Sequence, residues 1–129
     1  MPSAPVQNTQ RSLVGRSAYE GGLAAEDCVF RDYVARGYKP LAKRWRGRCG
    51  EIDLIFEFED VYVFVEVKKA ATHAIASTRL GTQQLWRIAR SAEDYIGSHA
   101  PDPLTPMRLD LAMVDAQGRL GIVENLTLS

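Results

Sequence analysis

Apolar residues recur along this chain at two spacings, and the change between them separates helices from strands. Tyr19, Leu23, Phe30 and Tyr33 fall four, seven and three residues apart, which is one face of a helix over 17–36. Gly37 follows as a helix stop, while Gly21 and Gly22 weaken the first turns. Glu26 lies on the same stripe, where an inward carboxylate needs a partner. The period then becomes two. Residues 39–46 read as a first strand with Pro40 at its start. Over 52–58, Ile52, Leu54, Phe56 and Phe58 take one face and Asp53, Ile55 and Glu57 the other. Residues 61–67 are almost continuously apolar, as in a central strand covered on both sides. Glu59-Asp60 is the turn between the two.

The polar stretch 70–81 reads as an irregular loop. A second helix over 82–97 turns Leu85, Ile88, Ala92, Tyr95 and Ile96 inward, and a Pro-rich connection follows. Strands over 107–114 and 120–126 flank a turn at 116–118. The order α-β-β-β-α-β-β predicts an α/β fold, a mixed sheet flanked by helices.

A chain of 129 residues suits one core. Residues 1–16, rich in Pro, Ser and Gln, read as a flexible tail before a single domain at 17–129. That tail has no signal-peptide core, and no apolar run approaches the roughly 20 residues of a membrane span, so a cytoplasmic protein is expected. Cys28 and Cys49 have no CxxC spacing and read as free thiols. Net charge is zero, which argues against strong non-specific nucleic-acid binding. The distribution changes that picture. Arg36, Lys39, Lys43, Arg44, Arg46 and Arg48 follow one another with no acid among them. Glu51, Asp53, Glu57, Glu59, Asp60 and Glu66 then follow with no base. A basic surface beside an acidic pocket is one reading, and an ordinary solvated face is the other.

The hairpin sharpens the acidic half. A two-residue turn at Glu59-Asp60 opposes Phe58 to Val61, and the same register opposes Asp53 to Glu66 and Glu51 to Lys68, all on one sheet face. Two opposed carboxylates repel, so a shared proton, a basic side chain or a divalent cation must compensate. Oxygen-only donors favour Mg²⁺ or Mn²⁺, and Lys68 can then orient a water or stabilise phosphate charge. A plain Glu51–Lys68 ion pair, with Asp53 held by an arginine, fits the pattern too.

Gly50-Glu51-Ile52-Asp53-Leu54-Ile55 and Phe64-Val65-Glu66-Val67-Lys68, with Arg44-Trp45-Arg46 before and Arg108-Leu109-Asp110 after, resemble the signature of the YraN-like family of bacterial proteins. The resemblance runs from about Glu26 to Asn125. That family is similar to Holliday-junction resolvases within the restriction-endonuclease-like PD-(D/E)XK nucleases. The resemblance implies a restriction-endonuclease-like core, metal ligation by Asp53, Glu66 and the Val67 carbonyl, Lys68 as the catalytic lysine, and Glu26 as the helical acid of the site. Two positions depart from the family pattern. Ala25 stands where Gly is usual, and Gln84 stands where a lysine is usual and is the nucleic-acid contact expected there.

For the basic run, Lys43, Arg44, Arg46 and Arg48 are the expected phosphate contacts. The alternative is a core Trp45 with solvent-facing arginines. Arg87 and Arg90 read as a solvated helix face, with a position along DNA as the alternative, Arg108 and Asp110 as a structural ion pair, and His73 and His99 as incidental. The leading functional reading is a metal-dependent endonuclease acting on DNA, on branched or structured DNA by resemblance. The rival is an inactive nuclease-fold module that binds nucleic acid or a protein partner. A homodimer is compatible with either.

Overall fold

The computed structural model describes the backbone of residues 10–126 and the side chains from Gly21 onward. Helix α1 spans Gln10–Ala35, β1 Lys39–Arg46, β2 Glu51–Phe58 and β3 Val61–Lys69. Helices α2 (His73–Ser77) and α3 (Thr82–His99) follow, then β4 Met107–Val114 and β5 Leu120–Val123. The fold is α/β: one five-stranded mixed sheet in the order β1-β2-β3-β4-β5, flanked by helices. Only the β3–β4 pair is parallel, and α2 and α3 lie in its crossover. Among the described residues, no helix is long and apolar enough to cross a membrane.

Two apolar layers hold the sheet. On one face, Ala25, Val29 and Tyr33 of α1 pack on Leu54, Phe56, Val63 and Val65. On the other, Ile88, Ala92, Tyr95 and Ile96 of α3 pack on Ile55, Tyr62, Phe64 and Leu109. Helix α1 ends as its sequence implies. Gly37 adopts φ +94°, its N–H donates to the Val34 carbonyl, and the Tyr38 N–H donates to the Tyr33 carbonyl. That pair of bonds satisfies two terminal carbonyls. It also turns Tyr38 back so that its ring meets Tyr33 edge-on at 4.9 Å. The β2–β3 hairpin has the expected register, from Phe58 opposite Val61 to Leu54 opposite Val65. Glu59 and Asp60 both take positive φ, 52° and 67°, the twist that a two-residue hairpin turn requires.

Four expectations are corrected. Helix α1 begins at Gln10, so residues 10–16 are helical and not tail; residues 1–9 lie outside the described residues. Within the expected loop, α2 forms a helix started by Thr72, whose Oγ1 accepts the Ile75 N–H at 3.2 Å, and anchored by buried Ala76. This adds a helix to the predicted order. Strand β5 stops at Val123 because Asn125 takes φ +57° and its N–H turns to the Asp110 Oδ1 at 2.9 Å. Finally, Ile52 packs with the α3-side cluster and not with Leu54 and Phe56. The strand alternation therefore breaks at Asp53.

Candidate active site

That break is where the candidate residues meet. Register extrapolation between β1 and β2 places Arg44 opposite Asp53, and Arg44 has left-handed backbone, φ +51°. A non-glycine residue adopts that conformation only against its own steric preference. Two successive side chains of β1 consequently reach α1: the Lys43 Nζ lies 4.0 Å from the Phe30 ring centre, and the Arg44 Nε donates to the Glu26 Oε1 at 3.0 Å. The paired β2–β3 register ends at Leu54 and Val65. Beyond it the Asp53 side chain takes over an acceptor role, its Oδ2 receiving the Val67 N–H at 2.8 Å.

Glu66 is buried, 7% exposed. Its Oε2 accepts from the Gln84 Nε2 at 2.9 Å, from the first turn of α3, and lies 3.1 Å from the Lys68 Nζ. Lys68 thus pairs with Glu66 and not with Glu51, which is exposed. Asp53, Glu66, Gln84, Arg87 and Glu51 line one open cleft of about 400 Å³ between β2 and α3.

Electrostatics follow from this geometry. The Asp53 pKa is pushed up to about 7, first by burial, then by the Glu66 charge, against the lowering effect of the Val67 N–H. Glu66 is also raised by burial, opposed chiefly by Lys68. The Glu26 charge acts on both carboxylates in the same upward sense, while its side chain lines a separate pocket with Leu23, Lys43 and Arg44. Near neutral pH the pair holds a proton that an aqueous Asp would have lost, with Asp53 hydrogen-bonded to Glu66. Burial and mutual repulsion thus keep the two acids from ionising together. A hard divalent cation would relieve that repulsion and suits that oxygen-only donor set. Among the described residues, no three Asp, Glu, His or Cys side chains converge into a ready-made metal cage, and Glu26 is engaged by Arg44.

The other basic residues do not gather in one place. Arg48, on the α3 side, donates to Asp94 at 2.7 Å, and Arg46 is exposed on β1. Trp45 packs edge-on against Tyr95 at 5.2 Å, on the opposite face of the sheet from the Arg44–Glu26 pair. Gln84 faces Glu66. Arg108 and Asp110 form a structural pair at 3.0 Å, with Asp110 also accepting from the Tyr33 hydroxyl at 2.8 Å. His73 contacts the Arg119 carbonyl, and His99 stacks on Tyr95. Arg87 was not among the expected site residues, yet it lines the carboxylate cleft one helical turn beyond Gln84. That i, i+3 spacing from a polar residue at the helix start was the signal available in the sequence.

Comparison with known proteins agrees with the motif. The profile of the uncharacterised protein family UPF0102 matches residues 25–114. A UPF0102 protein of Ruegeria pomeroyi is 49% identical over 111 residues, covering 86% of this chain and 90% of that one. One from Roseobacter denitrificans is 43% identical over 119 residues, covering 92% of each. Among solved structures, a repair endonuclease from Pyrococcus abyssi aligns with a TM-score of 0.40 at 14% identity. The alignment covers 89% of this chain, which spans 42% of that protein's length.

Proposed function

The chain belongs to the uncharacterised protein family UPF0102, and we propose that it is a divalent-metal-dependent phosphodiesterase with a restriction-endonuclease-like core, acting on DNA. The observation that carries this reading is the meeting of Asp53, Glu66 and Gln84 in one cleft, with Lys68 paired to Glu66, where burial holds back the ionisation of both carboxylates. Asp53 and Glu66, with the Val67 carbonyl, would hold Mg²⁺ or Mn²⁺. When bound, the cation would let both acids ionise and would polarise the scissile phosphate. The chain's own groups do the positioning. The Val67 N–H and the Gln84 amide fix one oxygen of each carboxylate, Asp53 Oδ2 and Glu66 Oε2, and so orient both groups. Lys68, held beside Glu66, orients the attacking water or offsets negative charge on the phosphate. Glu26, steadied by Arg44, stands as the outer acid from α1.

The lack of a three-residue metal cage among the described residues favours one other reading, a binding module without activity. A cleavage assay separates the two. Single-stranded, duplex, flap and four-way-junction DNA are incubated with Mg²⁺ or Mn²⁺, with Glu66→Gln and Lys68→Ala as controls. Metal-dependent cleavage lost in both variants supports the nuclease. Binding with no cleavage of any substrate supports the module.

A further inference from the structure

The sequence points to β1 and the residues just after it for phosphate contacts, yet three of the four basic candidates there already have a partner within the chain. Arg44 holds Glu26, Arg48 holds Asp94 and Lys43 covers Phe30. The outward side of α3 is different. Arg87 and Arg90 are exposed and donate no hydrogen bond to a described residue. Beside them stands Trp86, 51% exposed, with Arg90 about 40° and Arg87 about 100° round the helix from it on the same side, a large aromatic surface left in water next to two cations. Arg87 opens into the carboxylate cleft. Trp86 and Arg90 open into a second groove of about 380 Å³, lined also by Ala89, Glu93, Met107 and Leu109. One helix therefore leads from the carboxylates to an aromatic platform, with an arginine at each step.

We infer that the Arg87–Trp86–Arg90 face of α3 binds a single-stranded or unpaired segment of DNA beside the cleft, with Trp86 stacking on a base and the two arginines meeting phosphates. This deepens the nuclease reading and rests on it for the identity of the ligand. The chemistry of the face selects the ligand. An aromatic ring with two guanidinium groups to one side pairs with the face of a base and its adjoining phosphates. A paired base inside a duplex has no free face to offer. The inference accounts for the neutral net charge as well: a short stacking site needs few cations, unlike a duplex-tracking surface.

The test is binding without catalysis, using the full chain in EDTA with dT10 and with a blunt 20-base-pair duplex. The readouts are tryptophan fluorescence and anisotropy of labelled DNA across a salt series. The expected result is quenching by dT10 and weak response to duplex. Trp86→Ala should weaken dT10 binding roughly fivefold to a hundredfold, and Trp86→Phe should retain most of it. Arg87→Gln with Arg90→Gln should lower the salt slope by about 1.4, the loss expected for two single-strand phosphates. Circular dichroism checks that each exposed substitution leaves the fold intact. Unchanged dT10 affinity in these variants, equal or tighter duplex binding, or no binding at all would overturn the inference. So would Trp86-dependent self-association without quenching by DNA, which would assign the face to a second copy of the chain. Because EDTA removes cleavage from the assay, the two readings fail separately. Stacking without later cleavage would sink only the nuclease, and cleavage with no effect of Trp86 would sink only this face.

Discussion

Replacing Asp53 by Asn changes one charge and almost no shape, so its consequence can be worked out from the geometry. In the folded chain Asp53 keeps its proton up to about pH 7, because burial and the neighbouring Glu66 penalise the charge. In the unfolded chain it ionises near 3.8. The folded state therefore holds an extra proton between these values. The stabilising contribution is complete below about pH 4 and is lost as pH rises to about 7. At about 1.4 kcal/mol per tenfold change, the loss is on the order of 4 kcal/mol. Asn carries no charge at any pH. Its Oδ1 can accept the Val67 N–H and its Nδ2 can donate to Glu66, so both contacts of protonated Asp53 survive.

Denaturant unfolding of both proteins from pH 4 to pH 8.5 measures this. The variant should match the wild type at pH 4 and exceed it progressively above pH 5, with the gap levelling off above about pH 7.5. Metal provides the second half of the test. Mn²⁺ should raise the wild-type stability by about 2.7 kcal/mol at a hundredfold excess over its Kd, with a smaller effect below pH 7 where the proton competes. It should leave Asp53→Asn unmoved. A stability difference flat in pH would refute the shared-proton argument. A loss of stability in Asn at every pH, with no metal effect in either protein, would mean that Asp53 is a structural acid held by a cation.

Three further outcomes are expected. Asp53→Ala also removes the charge but leaves the Val67 N–H without its acceptor, so it should be less stable than Asp53→Asn by about 1–3 kcal/mol in the same melts. Glu59→Asn with Asp60→Gly suits the two positive φ angles of the hairpin turn and should raise stability by about 1 kcal/mol, read as a higher denaturation midpoint at unchanged m-value. Asp110→Asn should cost about 3–5 kcal/mol. It strips the fully buried counter-charge from Arg108 and disturbs the bonds from Tyr33 and Asn125; chemical denaturation reads the loss directly.

The sheet was legible where a local rule decides it. A two-residue turn sets the pairing of everything that follows, so the opposition of Phe58 to Val61 carried through to Leu54 and Val65. Helix α3 was legible because Ile88, Ala92, Tyr95 and Ile96 repeat at helical spacing and all face the core. Helix α2 was not, since a five-residue helix with one buried side chain leaves no periodicity to detect. The break at Asp53 was hidden for a different reason. Arginine has no preference for left-handed backbone, so nothing in Arg44-Trp45-Arg46 announces φ +51° at Arg44. The same limit explains the basic run. Its residues adjoin in sequence, but strand alternation and the irregularity at Arg44 send Arg44 to α1 and Arg48 to α3.

Placing the carboxylates at the end of a strand pair has a physical logic. Inside a continuous ladder, every N–H and C=O of β2 and β3 is spent on the partner strand, and the side chains are spaced by the pleat. Where the ladder ends, backbone groups are released. The Val67 N–H turns to Asp53, and the carboxylate that receives it gains a fixed orientation without a dedicated side-chain partner. Burial keeps the pair from ionising together, while Lys68 and Gln84 hold Glu66 from the other side. Oriented by backbone at one acid and by side chains at the other, the two carboxylates lose little further freedom on taking a ligand. The cost was paid in folding, as repulsion between neighbouring acids, and that stored repulsion is what a cation in this cleft would relieve.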